Sequence, residues 1–349
     1  LCGRRQRQMC IRDRNKEDVM RERYVDMVKG LSILCIAFLH YEKGVLPNSV
    51  NIFIGSFMIT AFYVTSGWVA AMHDSQRTLK ELLKKRWRQL GVPYVWWTII
   101  ILSFDLILYA CGYFDLKFIG REIYKTLTLR GIGTLWFLPA LFGGEIIWHW
   151  LKKQNKIWLI LVALGATVCY NYYYGILLGG KDETTYRIID APFRTISNML
   201  HAWIGIAFGY YSWRLLKDCL LKAPYHVLAV WGILLCTFAF LTANYLPRSL
   251  SMCWEFMAPL FGPLGFLLLM KALQELKPFD FFDYWGRNSL NLMVTHYSIL
   301  LVLFTIMVEN LFKQSFDGWI TILCFMISLP IQYLLVTVVN KYCKFTLGK

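Results

Sequence analysis

The chain has 349 residues, 57% of them hydrophobic and only 17% charged, with a mean hydropathy of +0.45, whereas soluble domains carry roughly 25% charged residues. That balance excludes an ordinary soluble globule and predicts an all-α, polytopic membrane helical bundle. The formal net charge of +15 would suit a nucleic-acid binder, but the basic residues are placed as membrane topology places them.

Residues 1–22 are a polar, basic tail with no initiator Met and no apolar stretch of the kind that makes a signal peptide. An artefact of sequence assembly would equally explain this tail, so it enters no functional reading. A bilayer core needs about 20 apolar residues per helical span, and ten segments qualify: 28–46, 50–72, 92–112, 132–151, 157–178, 195–213, 227–245, 254–271, 289–308 and 318–340. About ten transmembrane helices are therefore expected in a membrane domain over 23–343, with no soluble domain appended. An even number puts both termini on one side. That side holds 26 Lys and Arg, counting the eight before Tyr24, against ten in the opposite loops. Cytoplasmic loops are the basic ones, so both termini are predicted cytoplasmic and no nucleic-acid partner is expected.

The first span carries Lys29 and His40 eleven residues apart, with Asp26 three residues before the lysine. On an α-helix this spacing is about three turns, within ~20° of one face and ~16 Å along the axis. Ionisable groups at membrane depth are costly and face a bundle interior or a wet cavity. His40 suits general-base work on a hydroxyl near neutral pH; a Lys29–Asp26 ion pair one turn apart is the structural alternative for the other two.

After the second segment, Arg77 to Tyr94 alternates Leu79, Leu82, Leu83, Trp87 and Leu90 with Lys80, Lys84, Lys85, Arg86 and Arg88. This predicts an amphipathic helix at the membrane surface, ended by Gly91 and Pro93. Lys80 and Lys84 read as contacts to lipid headgroups. Arg86 and Arg88 stand next to the membrane, where a guanidinium fork can also take a phosphate. The ten cysteines are scattered and read as small apolar residues with free thiols. His201, Asp105 and Glu255 sit at membrane depth without a motif. His73 and His149 fall near the cytoplasmic surface. No metal site is expected, since no His, Cys and Asp cluster appears.

Five segments taken in order resemble one family, the ten-helix membrane acyltransferases called acyltransferase family 3. They are RYVDMVKGLSILCIAFLH, with Asp26, Lys29, Gly30 and His40; AFYVTSGW, with Ser66; KKRWRQLGVPY; TLWFLPALF, with Trp136; and GRNSLNLMVTHYSIL, with Asn288, Ser289 and His296. The fourth is similar to the branch that includes fucose 4-O-acetyltransferase and related polysaccharide acetyltransferases. It departs from members carrying Trp-Ser-Leu-x-x-Glu, because the Glu position is Leu141 here, with Glu145 one turn later.

The resemblance implies transfer of an acyl group, most often acetyl, from acyl-CoA (acetyl-CoA) as co-substrate to a hydroxyl of a cell-envelope or exopolysaccharide sugar or its lipid-linked precursor. The setting implied is a bacterial-type inner membrane, crossed many times, with no bound cofactor. The expected partners are acyl-CoA, a sugar or glycolipid acceptor and membrane lipid. His40 would be catalytic, and Asp26, Lys29, Arg86 and Arg88 would hold the donor or support the chemistry. Ser66, Trp136, Glu145, Asn288 and His296 are candidates to line the cavity, with packing the alternative for Trp136, capping of the helix start for Asn288 and Ser289, and a structural hydrogen bond for His296. The competing reading is a transporter or flippase for a lipid-linked sugar, with the basic-His stripe as its path.

Overall fold

The structure, a computed structural model, describes residues 22–73, 78–154, 156–246 and 257–349. Residues 1–21 of the basic tail, Arg77, Glu255 and the start of the segment expected from 254 lie outside the described residues. Within them the chain is helical throughout, with no strand. The helices are α1 (Arg23–Tyr41), α2 (Asn48–Phe57), α3 (Thr60–His73), α4 (Leu79–Arg86), α5 (Val92–Ala110), α6 (Leu116–Leu127), α7 (Phe137–Gln154), α8 (Ile157–Leu178), α9 (Glu183–Lys222), α10 (Tyr225–Tyr245), α11 (Met257–Leu273), α12 (Asp280–Arg287), α13 (Ser289–Thr295), α14 (Val302–Ile306) and α15 (Gly318–Tyr342).

Seven helical stretches among the described residues are long and apolar enough to cross a bilayer: Arg23–Tyr41, Asn48–His73, Leu79–Ala110, Ile157–Leu178, Tyr225–Tyr245, Ser289–Asn310 and Gly318–Tyr342. The other three expected spans are helices as well, but each departs from a plain apolar span. Helix α7 carries Glu145 and two lysines, α11 is a shorter apolar helix of 17 residues, and α9 runs for 40 residues with Pro192 inside it. At 1.5 Å per residue α9 is about 60 Å long, twice a ~30 Å hydrocarbon core. Part of it must therefore stand clear of the bilayer.

One expected boundary is corrected. The segment after residue 78 is not a separate surface helix stopped by Gly91 and Pro93. It starts with a capping box between Thr78 and Glu81, widens into a π-helical turn at Trp87–Gly91, and continues into α5. Proline breaks a helix by removing one N–H and crowding the preceding turn. The wide turn just before Pro93, closed by Val92 N–H donating to the Trp87 carbonyl, gives it room.

Helix α1 is fixed against its neighbours with almost no gap. A Cβ on Gly30 would lie 1.8 Å from the Phe282 carbonyl oxygen, and a Cβ on Gly286 1.8 Å from that of Asp26. Small residues that let backbones touch are how helices associate inside lipid, where apolar burial gives no preference for protein over acyl chain. Gly30→Val should therefore push α1 away from α12 at a cost of ~3 kcal/mol, read as a lower midpoint of thermal unfolding by size-exclusion chromatography in detergent. Unchanged stability would show that the two backbones do not touch. The other end of α1 is held by Glu42, whose Oε1 accepts from the Leu46 and Val45 N–H groups at 2.9 and 2.6 Å and whose Oε2 accepts from Asn51 Nδ2 at 2.8 Å. These bonds, the one from Leu46 foremost, keep its carboxyl below the usual carboxylate range.

Candidate active site

Lys29, Ile33, Ile36 and His40 line one cavity of about 260 Å³. These four are the i, i+4, i+7, i+11 stripe of α1, so the wall is the face that the Lys29–His40 spacing defines. Asp26 is buried beneath it, 3.8 Å from Lys29.

His40 lies one residue from the end of α1, where His296 meets it from a stretch 256 positions away. The His40 Nδ1 to His296 Nε2 distance is 3.1 Å. His296 is 1% exposed, and its Nδ1 lies 2.7 Å from the Leu292 carbonyl oxygen. A carbonyl only accepts, so His296 Nδ1 is the protonated nitrogen. For two neutral imidazoles the rest follows. His296 Nε2 is the acceptor, His40 Nδ1–H donates to it, and His40 Nε2 is left as the basic nitrogen. The histidine pair sits where α13 gives way to a π-helical turn, His296–Leu301, a local widening common at functional sites. Tyr297, from the same turn, packs on His40 with ring centroids 4.6 Å apart.

Two further cavities adjoin the first, and a third adjoins one of these. Toward the end of the bundle where α1 begins lies a mouth of about 340 Å³ bordered by Lys29, Lys85, Arg86, Lys152, His73 and Glu145. Lys29, Ser66 and Arg86 belong to both it and the first cavity. Glu145 organises this mouth: Ser66 Oγ donates to its Oε1 at 2.6 Å, and Arg86 forms an ion pair with its Oε2. On the other side of His40 a cavity of about 560 Å³ includes Asp105, Arg121, Glu122, Lys125 and Arg130, and shares His40, Thr134 and Trp136 with the first. It continues into a larger one, about 990 Å³, bordered by Lys117, Arg187 and Asp190 as well. His40 thus borders cavities leading toward both ends of the bundle.

The structure gathers Lys29, His40, Ser66, Arg86, Trp136 and Glu145 around this path and moves three expected residues off it. Arg88 turns to the chain's far end, where its Nε donates to the Gly348 carbonyl at 2.8 Å. Two positions on from Arg86, it falls ~200° round the helix. His296 stands behind His40 and reaches the cavity only through it. Asn288 occupies the N-cap position of α13 without making a side-chain cap. Its Nδ2 donates to the Tyr284 carbonyl at 2.9 Å and its Oδ1 accepts from Asn340 at 2.8 Å, while the adjacent Ser289 borders the first cavity. His201 Nδ1 bonds the Ser197 carbonyl at 2.8 Å, a local helical contact.

Sequence reasoning missed Lys85 and Lys152 as mouth residues and Asp105, Arg121 and Arg130 as cavity residues. Asp105 is visible in the sequence as a membrane-depth carboxylate and Lys85 as a cation of the amphipathic segment, but Lys152, Arg121 and Arg130 read as loop charges. The seven described cysteines are free, and among the described residues no group of three or more His, Cys, Asp or Glu is placed to hold a metal ion.

No curated protein and no solved structure matches the chain. A family model described as "Acyltransferase domain" matches residues 22–338.

Proposed function

The chain belongs to the acyltransferase domain family, and from that premise we propose that it is a membrane O-acyltransferase. Its donor is acyl-CoA, most simply acetyl-CoA, and its acceptor is a hydroxyl of a cell-envelope or exopolysaccharide sugar or of a lipid-linked precursor. The observation that carries this reading is His40, a half-buried imidazole whose Nδ1 is engaged by His296 and whose Nε2 is left for chemistry between two cavities.

The donor's phosphates suit the basic mouth, with Lys29, Lys85, Arg86 and Lys152 placed toward the cytoplasm of a bacterial-type inner membrane. Cations at a partly desolvated mouth bind phosphate oxygens through charge-assisted hydrogen bonds. The ~16 Å from Lys29 to His40 is the reach expected of an extended pantetheine arm, and it runs past the apolar Ile33 and Ile36. His40 Nε2 takes the proton of the acceptor hydroxyl as its oxygen attacks the thioester carbonyl carbon. The tetrahedral intermediate collapses with cleavage of the C–S bond. The proton then passes from His40 to the thiolate, giving the sugar ester and free CoA with the imidazole regenerated. Transfer through an acetyl-imidazole is the competing route.

The test is to supply acetyl-CoA labelled in the acetyl group to membranes carrying the protein and to follow label into envelope glycan. Labelled glycan with stoichiometric CoA release supports the reading. Intact thioester and unlabelled glycan would overturn it in favour of a carrier for a lipid-linked sugar, which the run of cavities through the bundle could also serve.

Arg86→Ala should raise KM for acetyl-CoA ~10- to 100-fold, the worth of a charge-assisted contact, with a smaller change in kcat. The substitution also strips Glu145 of its cation, and a buried charge without its partner is destabilising. Arg86→Ala with Glu145→Gln separates the effects: a KM that stays high in the double variant belongs to phosphate binding, and a return to the parent value assigns Arg86 to holding Glu145 alone.

A further inference from the structure

The donor reading leaves the far cavity unused, and the charges in its wall do not balance. Glu122, buried in α6, is already shared: its Oε1 accepts from Lys125 Nζ at 2.8 Å and from Arg121 Nε at 3.2 Å. Arg130 pairs with Asp190 at 3.8 Å, and Asp190 also takes Arg194 at 3.4 Å and the Tyr174 hydroxyl. Of the residues lining the cavity itself, Glu122 and Asp105 thus stand against Arg121, Lys125 and Arg130, three cations to two carboxylates. Burial pulls the Arg130 guanidinium below its usual pKa, with Asp190 opposing the shift, as expected where water has been replaced only in part by a counter-charge. Asp105 in the same wall is 3% exposed, and its Oδ2 has no hydrogen-bond partner among the described residues. A buried carboxylate oxygen without a donor is rare enough to require an explanation, and the cavity it borders is of a size that holds small ligands.

We propose that this cavity is the acceptor site and that the acceptor is an anionic sugar. Its phosphate or carboxylate lies on Arg121, Lys125 and Arg130, one hydroxyl donates to Asp105, and the hydroxyl to be acylated reaches His40 from the side opposite the donor. This assignment rests on the acyl-transfer reading of His40. The guanidinium forks supply the paired donors that a carboxylate or phosphate accepts. Asp105, as a carboxylate in the cavity wall, supplies the acceptor that a sugar hydroxyl requires. Trp136 and Tyr297, which also line the cavity, offer aromatic surface to the sugar ring.

The test titrates the purified full-length protein with glucuronate, glucose 1-phosphate, glucose and CoA, following binding by microscale thermophoresis. The two anionic sugars are expected to bind at least ~10-fold more tightly than glucose, since a hydrogen bond to a charged group is worth that much. A preference between them tells carboxylate from phosphate. Arg130→Ala should bring both down to the level of glucose, Arg130→Lys should restore part of the difference, Asp105→Asn should weaken all three sugars, and CoA binding should be unchanged throughout. Failure of both anionic sugars to bind, glucose binding as well as they do, CoA competing with them, or Arg130→Ala without effect would each overturn the assignment.

A second measurement separates it from the reading beneath it, using label transfer from acetyl-CoA to endogenous glycan in native membranes. Transfer that survives His40→Ala sinks the acyl-transfer reading whatever the sugars do. Transfer that needs His40 but is untouched by Arg130→Ala sinks the acceptor site alone.

Discussion

His40→Ala is expected to abolish acyl transfer while leaving the amount of folded protein in the membrane unchanged. General acid–base catalysis by a positioned side chain contributes ~10²- to 10⁴-fold, and in the proposed cycle His40 acts twice, first accepting the hydroxyl proton and then returning it to the thiolate. Binding should survive, because the donor's phosphates are gripped about three turns away at Lys29 and Arg86. The outcome expected is therefore a collapse of kcat with KM for acetyl-CoA changed little, measured as label entering glycan at matched protein levels. Retained glycan acylation in the variant would remove His40 from the chemistry.

The same residue separates the two routes of transfer. Cavities border His40 toward both ends of the bundle, so donor and acceptor can flank the ring together. Direct attack then predicts sequential kinetics, with CoA released only when acceptor is present. An acetyl-imidazole predicts ping-pong kinetics and CoA release without acceptor, and mass spectrometry of the peptide spanning His40 would detect the adduct.

What the sequence revealed was local. Lys29, Ile33, Ile36 and His40 share a wall because helical periodicity alone puts them there, and that periodicity can be read from one segment. The mouth was only half visible. Arg86 was recognisable as a cation beside the membrane, but pairing it with Arg88 ignored their angular separation, and the π-helical turn after Arg86 gave no sequence signal. Glu145 was suspected only as a stand-in for the absent carboxylate at Leu141. Its bonds to Ser66 and Arg86 join three helices, information carried by packing and not by spacing. The far cavity was hidden for a different reason: Arg121, Lys125 and Arg130 counted as ordinary loop charges in setting orientation, and only the fold brings them beside Asp105. The number of spans shows the same limit: 132–151, 195–213 and 254–271 qualify as apolar stretches in the sequence, yet the helices that hold them, α7, α9 and α11, are not among the seven that are long and apolar enough in the structure.

The His40–His296 contact was the least visible of all, and it yields the second large effect. His296 receives the His40 Nδ1 proton because its own Nδ1–H is committed to the Leu292 carbonyl. This fixes His40 in the tautomer with Nε2 bare, and it holds the ring in place. His296→Phe keeps the volume but removes the acceptor, so His40 can adopt the opposite tautomer, in which the nitrogen facing substrate carries a proton and cannot act as base. Loss of such an orienting partner typically costs ~10- to 100-fold, and ~10⁴-fold where the wrong tautomer dominates. The loss should fall on kcat, with KM for acetyl-CoA near the parent value. His296→Gln, whose carbonyl oxygen can accept from His40 Nδ1, should recover part of the rate. A residue that merely packed against His40 would instead be replaced best by Phe. Nitrogen-15 NMR of histidine-labelled protein gives the direct readout: His40 should be protonated on Nδ1 in the parent and redistributed in His296→Phe. An unchanged His40 tautomer in that variant would mean that His296 supports the fold and not the chemistry.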